Sequence, residues 1–251
     1  MCESISKNKI MDTNTAKKLL DKTKSDYAKI VVGFDETRSN APHFRADLGQ
    51  LVSLVEKGDK ILDLGCGNGR LYKFLQFREA EYLGVDNSEP LIAKAREKFP
   101  DAKFLVGDAL DLGFLVNEKF NKIFLVATLQ HIPSGDLRLK VLENIREVLT
   151  TDGMLIMTNW NLYQPKYLPQ IIKYSSLRAA RRMKIDRGDI FIPWHTKKEV
   201  VQRYYHAFTS SETRDLLIDS GFKVIDLYYV KNGQRTNWIH GANLVAIARK
   251  E

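Results

Sequence analysis

From residue 43 onward the chain switches repeatedly between two hydrophobic periods. In 43–56 the apolar residues Phe44, Leu48, Leu51, Val52 and Val55 recur at helical spacing, which predicts an amphipathic helix ended by Gly58. Short apolar runs at 60–64, 81–85, 103–106, 122–127 and 153–159 predict strands, with helices at about 69–77, 88–98 and 135–149 between most of them. Strands joined through helices give βαβ units, hence a parallel sheet covered by helices on both faces. After Trp160 the rhythm breaks. Residues 161–208 carry three prolines and several aromatics and read as an insertion beside the carboxyl edge of the sheet. A helix at 210–220, stopped by Gly221, then leads to strands at 222–230 and 243–248, close enough in sequence to pair antiparallel. The expected fold is therefore α/β, with seven strands, mostly parallel with an antiparallel last strand. Residues 1–26, with Lys17, Lys18, Lys22 and Lys24, read as a polar arm or surface helix, which leaves 27–251 as the domain.

Composition narrows the class. A chain of 251 residues that is 44% hydrophobic can bury one substantial core. No apolar stretch approaches the roughly 20 residues of a membrane span, and the first residues hold no apolar signal segment, so a cytoplasmic protein with no membrane partner is expected. Two cysteines, Cys2 and Cys66, and scattered histidines match no familiar metal spacing, so no metal site is expected. The net charge of +8 is localised: between Lys166 and Arg203 ten basic residues face three acids, which points to an anionic partner.

The candidate chemistry starts in the loop after the first strand, where Asp63, Gly65, Gly67 and Gly69 stand in the run Asp-Leu-Gly-Cys-Gly-Asn-Gly. Arg70 occupies the place where the dinucleotide pattern needs its third glycine, and no Gly-Lys-Ser/Thr follows, so neither a dinucleotide nor a nucleoside-triphosphate loop is indicated. A carboxylate at Asp63 suits an ammonium group and repels a pyrophosphate. Asp86 ends the second strand, where an acid accepts the hydroxyls of a ribose, and Asp108 ends the third, where one accepts from an adenine amino group. An amino-acid end, a ribose and an adenine in that order describe S-adenosylmethionine.

These three segments, 61–69, 82–86 and 106–108, resemble the motifs of class I S-adenosylmethionine-dependent methyltransferases, over roughly residues 45–160. The resemblance implies a Rossmann-like sheet and a cofactor-binding set of Asp63, Gly65, Gly67, Asn68, Asp86, Asn87, Asp108, Ala109 and Val126. Asn121 departs from it, standing where the family usually has Asp, at a supporting position. A narrower resemblance covers about 27–251: the segments 27–38, 188–195 and 203–208, with Asn237 and Trp238, look like the tRNA wobble-uridine carboxymethyl methyltransferases, which esterify the carboxylate of 5-carboxymethyluridine. It implies tRNA, through its anticodon loop, as partner, together with a small zinc-binding activator protein that docks on the sheet edge.

An ionised carboxylate needs no general base, but it does need cationic or polar groups to hold it in line. Arg38, Arg203 and His206 are the catalytic candidates. Unstacked anticodon bases ask for aromatic faces and phosphates for basic side chains. Trp194, Tyr204, Tyr205 and Trp238 are the stacking candidates, Arg181, Arg182 and Lys184 the phosphate candidates, with His195 and Asn237 beside them. Residues 127–133 lack the Asn/Asp-Pro-Pro-aromatic motif of amine methylation, while His131 fits either a general base for a hydroxyl or a helix cap beside the cofactor. A small-molecule O- or C-methyltransferase is the alternative, for which the basic window is incidental.

Overall fold

The computed structural model of the protein describes residues 11–39, 42–196 and 199–251, with side chains described at all of these except 32 and 34–45. An eight-stranded sheet forms its centre. The strands are β1 (Lys60–Leu64), β2 (Glu81–Asp86), β3 (Lys103–Val106), β4 (Phe120–Val126), β5 (Leu149–Trp160), β8 (Phe222–Lys231), β9 (Gln234–Thr236) and β10 (Asn243–Lys250), in the spatial order β3-β2-β1-β4-β5-β10-β8-β9. Pairing is parallel from β3 through β5 and antiparallel on both sides of β10. Seven of the eight match the expected strands. The eighth, β9, folds back on the end of β8 through the Asn232 and Gly233 turn, both at positive φ, a three-residue strand too short to show a period in sequence.

The central strands are buried on both faces because alternate side chains enter two separate cores. Leu62 and Leu64 of β1, with Ile123 and Leu125 of β4, pack against α5 (Gly135–Val148) and α7 (Ser210–Asp219) through Val141, Ile145, Leu216 and Leu217. Ile61, Phe124 and Val126 face α2 (Pro42–Val52) and the single turn α3 (Tyr72–Leu75) through Leu48, Leu51, Leu71 and Leu75. The helix expected over 69–77 thus shrinks to four residues. Helix α4 (Glu89–Lys98) covers β2 and β3 through Ile92 and Ala95.

One helix spans the expected division at residue 26. Helix α1 runs unbroken from Thr13 to Ser39, started by Asp12, whose carboxylate accepts from the Thr15 N–H at 2.8 Å. Its lysines disguise a buried stripe of Ala16, Ile30 and Val31, with Leu19 and Leu20 beside it. The 161–208 segment is ordered as α6 (Leu168–Ala179) and a separate antiparallel hairpin of β6 (Asp189–His195) and β7 (Val200–His206). Both pack with α1 around Tyr174, Ile190, Tyr204 and Tyr205.

At the amino ends of β1 and β4, Lys122 and Asp59 form a buried ion pair, and Asp59 also accepts the Glu56 N–H at 2.7 Å. Removing one partner leaves the other charge buried and uncompensated. Lys122→Met is expected to lower unfolding stability by roughly 3 kcal/mol, and adding Asp59→Asn to restore at least half; equal urea midpoints for wild type and single variant would contradict this.

Candidate functional site

The order of the parallel strands reverses between β1 and β4, and at this point the chain leaves both strands in opposite directions, opening a crevice at their carboxyl ends. The loop after β1 crosses it. Gly65, Gly67 and Gly69 take φ of +77°, +55° and +76°, and a Cβ on Gly65 would sit 2.2 Å from Thr128 Oγ1. Only glycine fits there. The Gly65 and Cys66 N–H groups both donate to the Val85 carbonyl, at 2.7 and 3.1 Å, which ties the loop to the end of β2. The resulting open pocket is lined by this loop, the ends of β2, β3, β4 and β5, and one face of α1.

Asp86 is set by the loop it supports. One carboxylate oxygen accepts from Gly67 N–H at 2.9 Å and the other from Ser88 N–H at 2.8 Å. Burial pushes its pKa up, against these two bonds. Each oxygen keeps a further lone pair, the acceptor set for a vicinal diol. Asn87 and Leu91 stand beside it; Asp108 and Ala109 line the end of β3, and Asn68 and Val126 line the loop and the end of β4. Asp63 departs from expectation. It lies behind the loop, 1% exposed, accepting from the Tyr82 hydroxyl at 2.8 Å, and does not line the pocket. The alternation of β1 turns it with Ile61, away from the cofactor side. Burial drives its pKa to about 7, opposed by Tyr82 and the Arg70 charge. Asn121 accepts the Lys60 N–H at 2.8 Å and so secures the start of β1, a supporting place as expected.

The glycine cradle, the acceptor pair on Asp86 and the strand-end Asp108 fit S-adenosylmethionine, with adenine towards Asp108 and ribose at Asp86. The far end of the pocket, lined by Tyr27, Thr128, Gln130, His131 and Trp160, is where an acceptor would enter. Here the Tyr27 hydroxyl lies 2.9 Å from His131 Nε2, and His131 Nδ1 lies 3.2 Å from the Tyr204 carbonyl, which only an N–H on Nδ1 can satisfy. The Tyr205 ring packs between His131, at 4.6 Å, and Trp160, stacked at 5.3 Å. Arg203 lies next on the same face of β7. Its guanidinium sits over the rings of Trp194 and Tyr205, at 4.6 and 5.2 Å, 5% exposed and outside the pocket lining, and among the described residues its Nε and Nη1 have no hydrogen-bond partner.

The remaining candidates divide. His206 and Tyr204 point to the opposite face of β7 and are fully engaged: His206 Nδ1 and Nε2 each lie 2.7 Å from Asp189 and Glu212, and the Tyr204 hydroxyl donates to Asp189 at 2.7 Å. Neither has an atom free for an acceptor, and Tyr204 and Tyr205, being buried, offer no face to a base. Trp194 is half-buried against Gly33 of α1, while His195 is exposed. Arg181, Arg182 and Lys184 are exposed just beyond α6. Asn237 caps its own turn, accepting from the Ile239 and His240 N–H groups, and Trp238 projects into solvent, 56% exposed. Arg38 lies outside the residues whose side chains are described. Tyr27, Lys24 and Thr23, unremarked as site residues in the sequence, line the pocket from α1 at helical spacing. Among the described residues no group of three or more His, Cys, Asp or Glu is placed to hold a metal, and no helix is long and apolar enough to cross a membrane.

A parallel sheet reversed at β1 and β4, with this loop and these acids, defines a class I S-adenosylmethionine-dependent methyltransferase. The chain belongs to the methyltransferase domain family, whose model matches residues 55–208. It is similar to a carboxy-S-adenosyl-L-methionine synthase of Campylobacter lari, 24% identical over 241 residues, covering 92% of this chain and 97% of that one. It is also similar to the tRNA (carboxymethyluridine(34)-5-O)-methyltransferase of Saccharomyces cerevisiae, 28% identical over 162 residues, 61% of this chain and 53% of that one. Among solved structures, the fold matches a chain of the Haloferax volcanii complex between the Trm112 methyltransferase activator and a methyltransferase, at TM-score 0.62 and 16% identity, covering 89% and 96%.

Two outcomes check the site. Asp86→Ala should weaken S-adenosylmethionine at least about tenfold, the loss of roughly 1.5–3 kcal/mol for charge-assisted contacts; unchanged calorimetric affinity in a folded variant would contradict the placement. For Asp63 the folded value lies above the 3.8 of the unfolded chain, so the fold favours its neutral form. Its contribution is complete below about pH 4 and is lost as pH rises through about 7. Asp63→Asn should therefore gain stability relative to wild type between pH 4 and 8 in cofactor-free protein, and parallel stability curves would refute it.

Proposed function

We propose that the chain methylates a carboxylate, and that the acceptor is the 5-carboxymethyl group on the wobble uridine of tRNA, giving the methyl ester. The observation that carries this reading is Arg203, a buried cation whose Nε and Nη1 have no hydrogen-bond partner among the described residues, stacked on Tyr205 behind the His131 and Trp160 wall of the pocket. Stacking on Trp194 and Tyr205 holds the guanidinium but supplies no acceptor. A carboxylate supplies it. When bound, S-adenosylmethionine provides a methyl carbon made electrophilic by the sulfonium, and transfer to an ionised oxygen leaves a thioether with no proton to move. The chain's own part is then alignment: Asp86 and the glycine loop fix the nucleoside, and Arg203 orients the acceptor without a base. His131 serves as a wall of that site, its Nδ1–H committed to the Tyr204 carbonyl.

The yeast relative's name and the exposed Arg181, Arg182 and Lys184 support tRNA as the carrier, with these side chains on its phosphates. Trp238 and His195, both exposed, remain available to bases. A small activator partner fits the open edge of β3, where Leu105, Val106, Phe114 and Val116 are exposed together. The near full-length match to the Campylobacter lari synthase favours a second reading, in which the carboxylate held by Arg203 ends on the cofactor itself.

With methyl-labelled cofactor and tRNA bearing 5-carboxymethyluridine, with and without an activator, the protein should yield label that alkali releases. Arg203→Gln should lower acceptor kcat/KM roughly tenfold to a hundredfold while cofactor affinity holds. Changing Arg181 and Arg182 together to Ala should make the salt dependence of tRNA binding shallower. Alkali-stable label, or a carboxylated cofactor with no label in tRNA, would overturn the assignment.

A further inference from the structure

Behind the hairpin lies a buried charged cluster that methyl transfer does not itself use. Asp189 of β6 accepts from the Tyr204 hydroxyl and from His206 Nδ1, while His206 Nε2 reaches Glu212 of α7. Arg138 of α5 lies 3.7 Å from Asp186 and 4.0 Å from Asp189, and it donates to the Ile132 carbonyl at 3.2 Å. The cluster therefore ties together α5, α7, the hairpin and the 129–132 turn, which carries Gln130 and His131 into the pocket. On a strand, alternate residues face opposite sides. Tyr204 and His206 enter the cluster, while on the other face Tyr205 packs between His131 and Trp160 of the pocket wall and Arg203 stacks on Tyr205.

We propose that His206 is a positioning residue: by bridging Asp189 and Glu212 it pins one face of β7 and so holds Tyr205, on the other face, against the His131 and Trp160 wall of the pocket with Arg203 stacked behind it. The inference rests on the reading of Arg203 given above. A strand held by hydrogen bonds on one face cannot rotate about its axis, and a rotation of β7 would carry Arg203 off its Trp194 and Tyr205 stack. The bridge is strongest when His206 is an imidazolium, since both its nitrogens then donate to carboxylates. The charged groups facing it are Asp189 and Asp186 from the hairpin side, Glu212 from α7 and Arg138 from α5, with the Tyr204 hydroxyl on its own strand. Burial and Arg138 oppose the imidazolium, but Glu212 and Asp189 outweigh them and its pKa is raised. Glu212 is correspondingly held down. The bridge is thus complete below the ordinary histidine range and weakens as pH rises through the raised value.

The test is nitrogen NMR of the full chain labelled at His and Arg, alongside kinetics. The Arg203 Nε resonance should titrate with the midpoint of the His206 ring nitrogens. Glu212→Gln should lower both midpoints together, and His206→Gln should abolish the Arg203 transition. His206→Gln should also raise acceptor KM about tenfold, leaving the cofactor dissociation constant within twofold. An Arg203 signal that ignores His206, or an unchanged acceptor KM in a folded His206→Gln protein whose Arg203→Gln counterpart is impaired, would overturn the proposal. Should Arg203→Gln itself leave KM unchanged while the linked titration persists, the carboxylate reading falls and the coupling of His206 to Arg203 stands.

Discussion

Everything at the cofactor end depends on Gly65 lying flat under Thr128. A side chain there would strike Thr128 Oγ1 at 2.2 Å, and the positive φ would be strained for any other residue. Because the loop lies down, its Gly65 and Cys66 N–H groups reach Val85 and its Gly67 N–H reaches Asp86. β1, β2 and β4 are locked at their carboxyl ends by this contact as much as by their pairing. The two apolar cores supply most of the stabilisation, but they do not specify the crevice. The loop does.

At the acceptor end the same economy rests on β7. Its even-numbered residues Tyr204 and His206 are consumed in buried hydrogen bonds, so that Arg203 and Tyr205 are left to the other face. Burying a guanidinium with unmet N–H groups is unfavourable by several kcal/mol. Cation–π contacts return only about 0.5–2 kcal/mol each. On the proposed reading, this deficit is a preference for an anionic oxygen.

The sheet was legible because parallel strands and their helices switch period cleanly; the glycine loop, Asp86 and Asp108 line one pocket because the parallel strands end on the same side of the sheet. Asp63 misled for a physical reason: in a strand buried on both faces an acid carries no sign of its side, and this one turns to Tyr82. Helix α1 was hidden by its lysines, although Ala16, Thr23, Tyr27, Ile30 and Val31 form the stripe of a buried face. The role of His206 could not be read at all. Its partners Asp189 and Glu212 lie 17 and 6 residues away on other elements; the hairpin register brings in Asp189, and the packing of α7 brings in Glu212. Arg203 was a candidate through the resemblance, but that its Nε and Nη1 lack hydrogen-bond partners among the described residues is visible only in three dimensions.

The central claim is that the acceptor site selects a carboxylate. Calorimetry with the thioether product of the cofactor in place can compare two anticodon stem-loops that differ only in a 5-carboxymethyl or a neutral 5-carbamoylmethyl group on the wobble uridine. The account predicts that the carboxylate binds at least about tenfold tighter, the worth of one charge-assisted contact, and that Arg203→Gln erases the difference. Equal affinity for the acid and the amide in the wild-type protein would contradict it.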